Sequence, residues 1–147
     1  MPRKISPQYI YSCTIDRVVD ADTYEVTIDV GFNLRCRHRV RLVDVDSQGQ
    51  PVGIDCPEIS TEEGKEARRE AVEKIVDWEI VTGNSGASKA TIQTFQPDSL
   101  DASTLRDSFG RYLAAIFLDG ESLAGWLVET GWAKKWAKKR TKKGETT

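Results

Sequence analysis

Tyr24, Val26, Ile28 and Val30 alternate with Glu25, Thr27 and Asp29, and this period of two predicts a half-buried strand over residues 23–30. Residues 8–19 and 34–45 read as strands on either side of it, joined through the turns Asp20-Ala21-Asp22 and Gly31-Phe32-Asn33. Three consecutive strands with short connections form a meander. In the third, Arg37, Arg39 and Arg41 hold one phase while Val40 and Leu42 hold the other, so the arginines line one face. A loop carrying Gly49, Pro51 and Gly53 follows.

Ser60 with Glu63 three residues on makes a capping box at the start of a helix over residues 61–77. Its stripe is Ala67, Ala71, Val72, Ile75 and Val76, with i,i+4 pairs Arg69–Glu73 and Glu70–Lys74 on the other faces. Gly64 falls in the first turn, where a glycine costs least. Residues 82–88 and 97–106 read as polar loops, residues 90–95 and 112–118 as the fourth and fifth strands, the fifth closed by the Asp119-Gly120 turn. A last helix over residues 121–130 places Leu123, Trp126, Leu127 and Thr130 on one face, with Trp126 in the core, and Gly131 at its stop. Five strands with a helix after the third predict an α+β, mainly β fold: a five-stranded OB-like barrel with two or three packed helices.

At 147 residues, 39% hydrophobic and 30% charged, the chain suits one domain, here residues 1–136, with a basic tail over 137–147. No apolar run approaches the roughly 18 residues of a membrane helix, and Met1 to Pro7 lacks the apolar stretch of a signal peptide, so a cytoplasmic monomer without a membrane partner is expected. Cys13, Cys36 and Cys56 are odd in number and lack C-x-x-C spacing, which indicates neither a disulfide framework nor a zinc site. The net charge of −2 is unevenly spread: seven of the 21 basic residues fall between Lys134 and Lys143, interleaved with Trp132 and Trp136. Lys134, Lys135 and Trp136 are therefore candidates for following a phosphate backbone and stacking a base, with Arg39 as part of a basic rim.

Carboxylates and arginines recur in three separated stretches: Val18-Val19-Asp20-Ala21-Asp22-Thr23, Arg41-Leu42-Val43-Asp44-Val45-Asp46 with Asp55-Cys56-Pro57-Glu58, and Asp107-Ser108-Phe109-Gly110-Arg111-Tyr112-Leu113-Ala114. With Gly64-Lys65-Glu66-Ala67 and Asp119-Gly120, this ordered set resembles the staphylococcal nuclease (thermonuclease) family over residues 10–136. The resemblance implies a five-stranded OB barrel and Ca²⁺-dependent hydrolysis of phosphodiesters in DNA and RNA. It implies Asp22 as a metal ligand with Thr23 beside it, Arg41 and Arg111 as phosphate-binding arginines, and Glu58 as general base.

One departure matters. The family pattern holds arginine, metal-binding Asp and Glu in one short run, R-L-x-x-x-D-x-P-E, whereas here Asp46 stands five residues after Arg41 and Pro57-Glu58 arrives later with its own Asp55. Either Asp46 or Asp55 is the second carboxylate ligand, with a carbonyl from Ser47 or Cys56. Asp46 is preferred on the ground that a ligand on a regular strand end is held more rigidly than one in a long loop.

These residue types suit the chemistry. Guanidinium forks bind anionic phosphate bidentately and stay protonated, Ca²⁺ takes carboxylate, carbonyl and water oxygens, and an ionised glutamate accepts a proton from water. His38, the only histidine, lies mid-strand away from every motif and reads as structural. The expected function is an endonuclease cutting single-stranded or frayed DNA and RNA with little sequence preference, since no base-reading helix is present. The alternative is a catalytically impaired module on the same barrel that binds nucleic acid or peptide.

Overall fold

In the computed structural model, residues 9–82, 90–95 and 111–135 are described. The loop expected at 97–106, nearly all of that at 82–88, and the tail with Trp136 lie outside them. The elements are β1 (Ile10–Asp20), β2 (Thr23–Gly31), β3 (Leu34–Val45), β4 (Pro51–Asp55), α1 (Glu62–Thr82), β5 (Ala90–Gln93), β6 (Tyr112–Leu118), β7 (Glu121–Ser122), α2 (Leu123–Glu129) and β8 (Lys134–Lys135).

Strand β1 pairs antiparallel with β2 and β5, β2 with β3, and β5 with β6. The parallel pairing of β3 with β6, Val40↔Tyr112 through Leu42↔Ala114, closes the ring. This is a five-stranded OB-like barrel in an α+β protein. Two register shifts in β1, between Ile15 and Arg17 and between Val18 and Asp20, bend that strand enough to pair on both sides of the barrel. Tyr24, Val26, Val40, Leu42, Ile92, Ala114 and Ile116 are buried inside, and for β2 and β3 this is the inward phase that the alternation predicts.

The β2–β3 turn has φ +56° at Phe32 and +61° at Asn33, and the β6–β7 turn has φ +51° at Asp119 and +85° at Gly120. Two left-handed residues in a two-residue loop form a type I′ turn, whose twist matches that of the flanking strands.

Helix α1 differs from expectation at both ends. Thr61, not Ser60, is the cap: its Oγ1 accepts from the Gly64 N–H at 3.0 Å and donates to the Glu58 carbonyl at 2.7 Å. The helix continues past Asp77 to Thr82 because no glycine or proline occurs before Gly83 to stop it. Ala67, Ala71 and Ile75 are buried as the stripe predicts, whereas Val76 is exposed. Arg68 Nε donates to the Val18 carbonyl at 2.9 Å, fastening α1 across β1.

Residues 121–122, expected as helix, instead pair with β6. Ser122 then caps α2: its Oγ accepts from the Gly125 N–H at 3.0 Å and donates to Asp44 Oδ1 at 2.8 Å. Gly131 ends the helix with φ +87°. Trp126 packs against the core only partly buried, with the Lys74 ammonium 5.2 Å from its ring centroid.

Cys13 is 2% exposed, and burial first, with the Asp16 charge adding, pushes its thiol up to about 12. An unfolded chain ionises this thiol from about pH 9, so between there and pH 12 the unfolded state binds fewer protons than the folded one, and stability falls as pH rises. Cys13→Ala should remove this part of the alkaline slope, on the order of 3 kcal/mol by pH 11. Urea midpoints of both proteins at pH 7 and pH 11 check it.

Candidate active site at the β1–β2 turn

Asp22 leads out of the turn between β1 and β2, and two neighbouring strands bring cations to it. Thr23 pairs with Arg41 across β2 and β3, and the Leu42 N–H donates to the Asp22 carbonyl at 2.8 Å. That backbone bond sets Arg41 beside the Asp22 carboxylate: Nη2 lies 3.4 Å from Oδ2, with the side chains 15% and 13% exposed. Arg111 directly precedes β6, which runs parallel to β3. Its Nη1 donates to Thr23 Oγ1 at 2.8 Å. Two guanidinium groups from distant parts of the chain thus converge on Asp22-Thr23.

The carboxylates crowd as well. The Asp22 N–H donates to Asp20 Oδ1 at 3.1 Å. Burial, followed by the hydrogen bond and charge of Asp20, holds the Asp22 carboxyl up at about 7 against the downward pull of Arg41 and Arg111. From sequence, Asp20 is only a turn residue; its position two residues before Asp22 is the available signal. Tyr24, buried under the turn, donates its hydroxyl to the Ala21 carbonyl at 2.8 Å and anchors the backbone there. Burial, with the fields of Asp22 and Asp20 added, pushes the Cys56 thiol up to about 12, so the segment after β4 lies within electrostatic reach of these carboxylates.

The stretch after Val45, with Gly49, Pro51 and Gly53, is a loop by its sequence. It is instead a hairpin: β4 pairs with β3 as Val43↔Gly53, Asp44↔Val52 and Val45↔Pro51. An antiparallel hairpin returns the chain to its point of departure, since paired Cα atoms stand about 5 Å apart. Arg41 Nη2 donates to the Ile54 carbonyl at 3.0 Å, which fastens the end of β4 beside the arginine.

Asp46, preferred from sequence, sits at the hairpin's far end. Its Oδ1 accepts the N–H groups of Gln48 and Gln50 at 2.8 and 2.9 Å, the work of a turn residue. Five residues along β3 separate it from Arg41, about 17 Å at 3.4 Å per residue. The structure thus brings the Ile54 carbonyl, next to Asp55, to the arginine, while the Asp46 carboxylate serves the hairpin turn.

Glu58 is exposed on the connection from β4 to α1. Its carbonyl accepts from the Thr61 N–H at 2.9 Å, and among the described residues its carboxylate makes no hydrogen bond or ion pair. Gly64 holds this connection down: a Cβ there would stand 1.8 Å from the Glu58 oxygen. From sequence, Gly64 is only a tolerated weakness of the helix; here it is the space into which the Glu58 backbone fits.

Lys134 pairs with Asp55 and Lys135 with Ile54, so both expected nucleic-acid-binding lysines edge the site. Arg39 Nη2 lies 2.6 Å from Glu25 Oε2 on the outward face of the β2–β3 hairpin.

Among the described residues no three Asp, Glu, His or Cys side chains gather at one point. A hard cation here would draw on two carboxylates, backbone carbonyls and water, which is within the habit of Ca²⁺. The crowded Asp20 and Asp22 carboxylates offer such a cation a stabilising role. No protein-family model matches the chain, and no curated protein does either.

Proposed function

We propose that this protein is a Ca²⁺-dependent phosphodiesterase, an endonuclease acting on DNA and RNA with little sequence preference. The convergence of Arg41 and Arg111 on the Asp22-Thr23 turn carries this reading. A phosphodiester is anionic, and its charge grows at the non-bridging oxygens as water attacks. Two guanidinium groups fixed before the substrate arrives offset that charge without reorganising. Arg41, steered by Asp22 and the Ile54 carbonyl, and Arg111, steered by Thr23, would bind phosphate through their guanidinium forks.

A hard cation would draw on the Asp22 carboxylate and, from the segment whose Ile54 carbonyl meets Arg41, on Asp55 with a carbonyl from Cys56. When bound, Ca²⁺ would supply positive charge at the phosphate and a place to order water. Glu58 accepts the attacking water's proton, and its exposed carboxylate is open to solvent and substrate alike. Lys134 and Lys135 extend the cationic surface along the substrate backbone.

Glu58→Gln should cut denatured DNA roughly 10²- to 10⁴-fold more slowly than the unaltered protein in Ca²⁺, and excess chelator should stop both. Gel assays over matched time courses check this; equal rates would remove Glu58 from the mechanism. A module that binds without turnover is the second reading, favoured by the absence of any contact from the Glu58 carboxylate to Asp22, Arg41 or the other described residues. It predicts strand binding with no cutting in Ca²⁺.

A further inference from the structure

We propose that a single strand of nucleic acid lies along the outward face of β3, its phosphates on the row Arg35, Arg37 and Arg39 and one base stacked on Phe32. This rests on the reading above, since the row leads to Arg41 and the turn it faces. Alternate residues of a strand share a face and recur about every 7 Å, so Arg35, Arg37, Arg39 and Arg41 form one line from the tip of the β2–β3 hairpin to the candidate site. Arg37 and Arg39 have side chains 73% and 51% exposed.

Phe32 stands at the tip, 95% exposed, with a backbone φ of +56°. A bulky side chain is disfavoured in that region, and an exposed ring recovers nothing from the core. A strained residue that folding does not use points to a task outside folding. Base stacking is such a task, because every base offers a flat face to an aromatic ring.

Acidic residues flank the row: Asp16 lies 3.6 Å from Arg37, Glu25 lies 2.6 Å from Arg39 and 3.6 Å from Arg17, and Asp29 pairs in register with Arg35. Exposed ion pairs of this kind contribute little to stability. A guanidinium has five donors, and one carboxylate contact steers it while leaving others for phosphate. The same carboxylates argue against an anionic membrane, which would press on the whole face, whereas a strand follows one line of cations.

The test is fluorescence anisotropy of a labelled oligothymidylate of about 12 nucleotides, within the range one OB barrel spans, in excess chelator so that nothing is cut. Phe32→Ala and Phe32→Asn should each weaken binding roughly 5- to 150-fold, with the slope of log affinity against log salt unchanged. Arg37→Ala should lower that slope by about 0.7. A thymidine dinucleotide, too short to reach from Arg41 to the tip, should not sense Phe32.

Asparagine accepts the left-handed backbone, so Phe32→Asn should melt a few degrees higher than the unaltered protein while binding more weakly, a combination no structural role produces. Unchanged 12-mer affinity in both Phe32 variants would overturn the proposal, as would weakening that merely follows lost folding. Phe32-dependent binding to phosphatidylserine vesicles with the 12-mer unaffected would also overturn it, in favour of a membrane. Phe32-dependent strand binding without cleavage in Ca²⁺ would uphold the path and refute hydrolysis; cleavage with Phe32 inert would do the reverse.

Discussion

Arg41→Ala should lower phosphodiester cleavage by roughly 10²- to 10³-fold, the usual cost of removing one fixed donor aimed at a developing oxyanion. The substitution acts on stability too. It takes the donor from the Ile54 carbonyl, which joins β3 to the end of β4, and the cation from beside Asp22. A buried carboxylate that loses its partner is costly, but Asp22 has an escape, because its carboxyl is already held up at about 7 by burial and Asp20. Without Arg41 it rises further and takes a proton.

The stability loss should therefore grow with pH. Near pH 5 Asp22 is neutral with or without Arg41, and the variant loses little more than the Ile54 bond, on the order of 1 kcal/mol. Above pH 8 the unaltered protein holds an ionised Asp22 against a cation and the variant does not, and the loss should reach about 2–4 kcal/mol. Urea titrations at both pH values measure it. The double variant with Asp22→Asn should recover part of the high-pH loss, since the two groups share one interaction.

Gly64→Ala is the second large effect, and its sign opposes helix propensity. Alanine in place of glycine inside a helix ordinarily stabilises by about 1 kcal/mol. Here the added Cβ would lie 1.8 Å from the Glu58 oxygen, 2.4 Å from its carbonyl carbon and 2.9 Å from the Ile59 Cα. All three are backbone atoms, so no side chain can rotate away, and the connection carrying Glu58 must move.

A net loss of about 1–3 kcal/mol is expected, with cleavage falling roughly 10²-fold because displacing a proton acceptor by an ångström is enough to do so. Gly125→Ala is the matched control in α2. Its nearest contacts are at 3.4 Å, the Cβ and Oγ of Ser122, so it should be neutral or slightly stabilising. Thermal melts and initial rates for the two variants separate steric displacement from helix propensity.

The barrel was legible because each of its strands carries the signal that burial imposes on a pleated chain. Tyr24, Val26 and Ile28 alternate inward, and the turn residues at Asp20 to Asp22 and at Asp119-Gly120 fall where the strands end. The alternation of Arg39 and Arg41 against Val40 and Leu42 likewise puts the arginines outside. Helix ends were less legible. Ser60 and Thr61 are both competent caps, and only the position of the Glu58 carbonyl chooses Thr61. Strand β4 was missed because Gly49, Pro51 and Gly53 are turn-formers, and pairing with β3 overrides that local preference.

One-dimensional pattern is enough to name the groups and the elements that carry them: Asp22 at a turn, Arg41 on an outward phase, Arg111 entering the last barrel strand, Glu58 before a capped helix. Which of them meet was decided by tertiary structure alone. Asp46 is nearer to Arg41 along the chain, yet the Ile54 carbonyl, next to Asp55, is what meets its guanidinium, because backbone hydrogen bonding folds the intervening residues back on themselves. Gly64 and Asp20 acquire their importance from near neighbours in the chain, the Glu58 backbone and the Asp22 carboxyl, whose closeness depends on how the backbone turns between them.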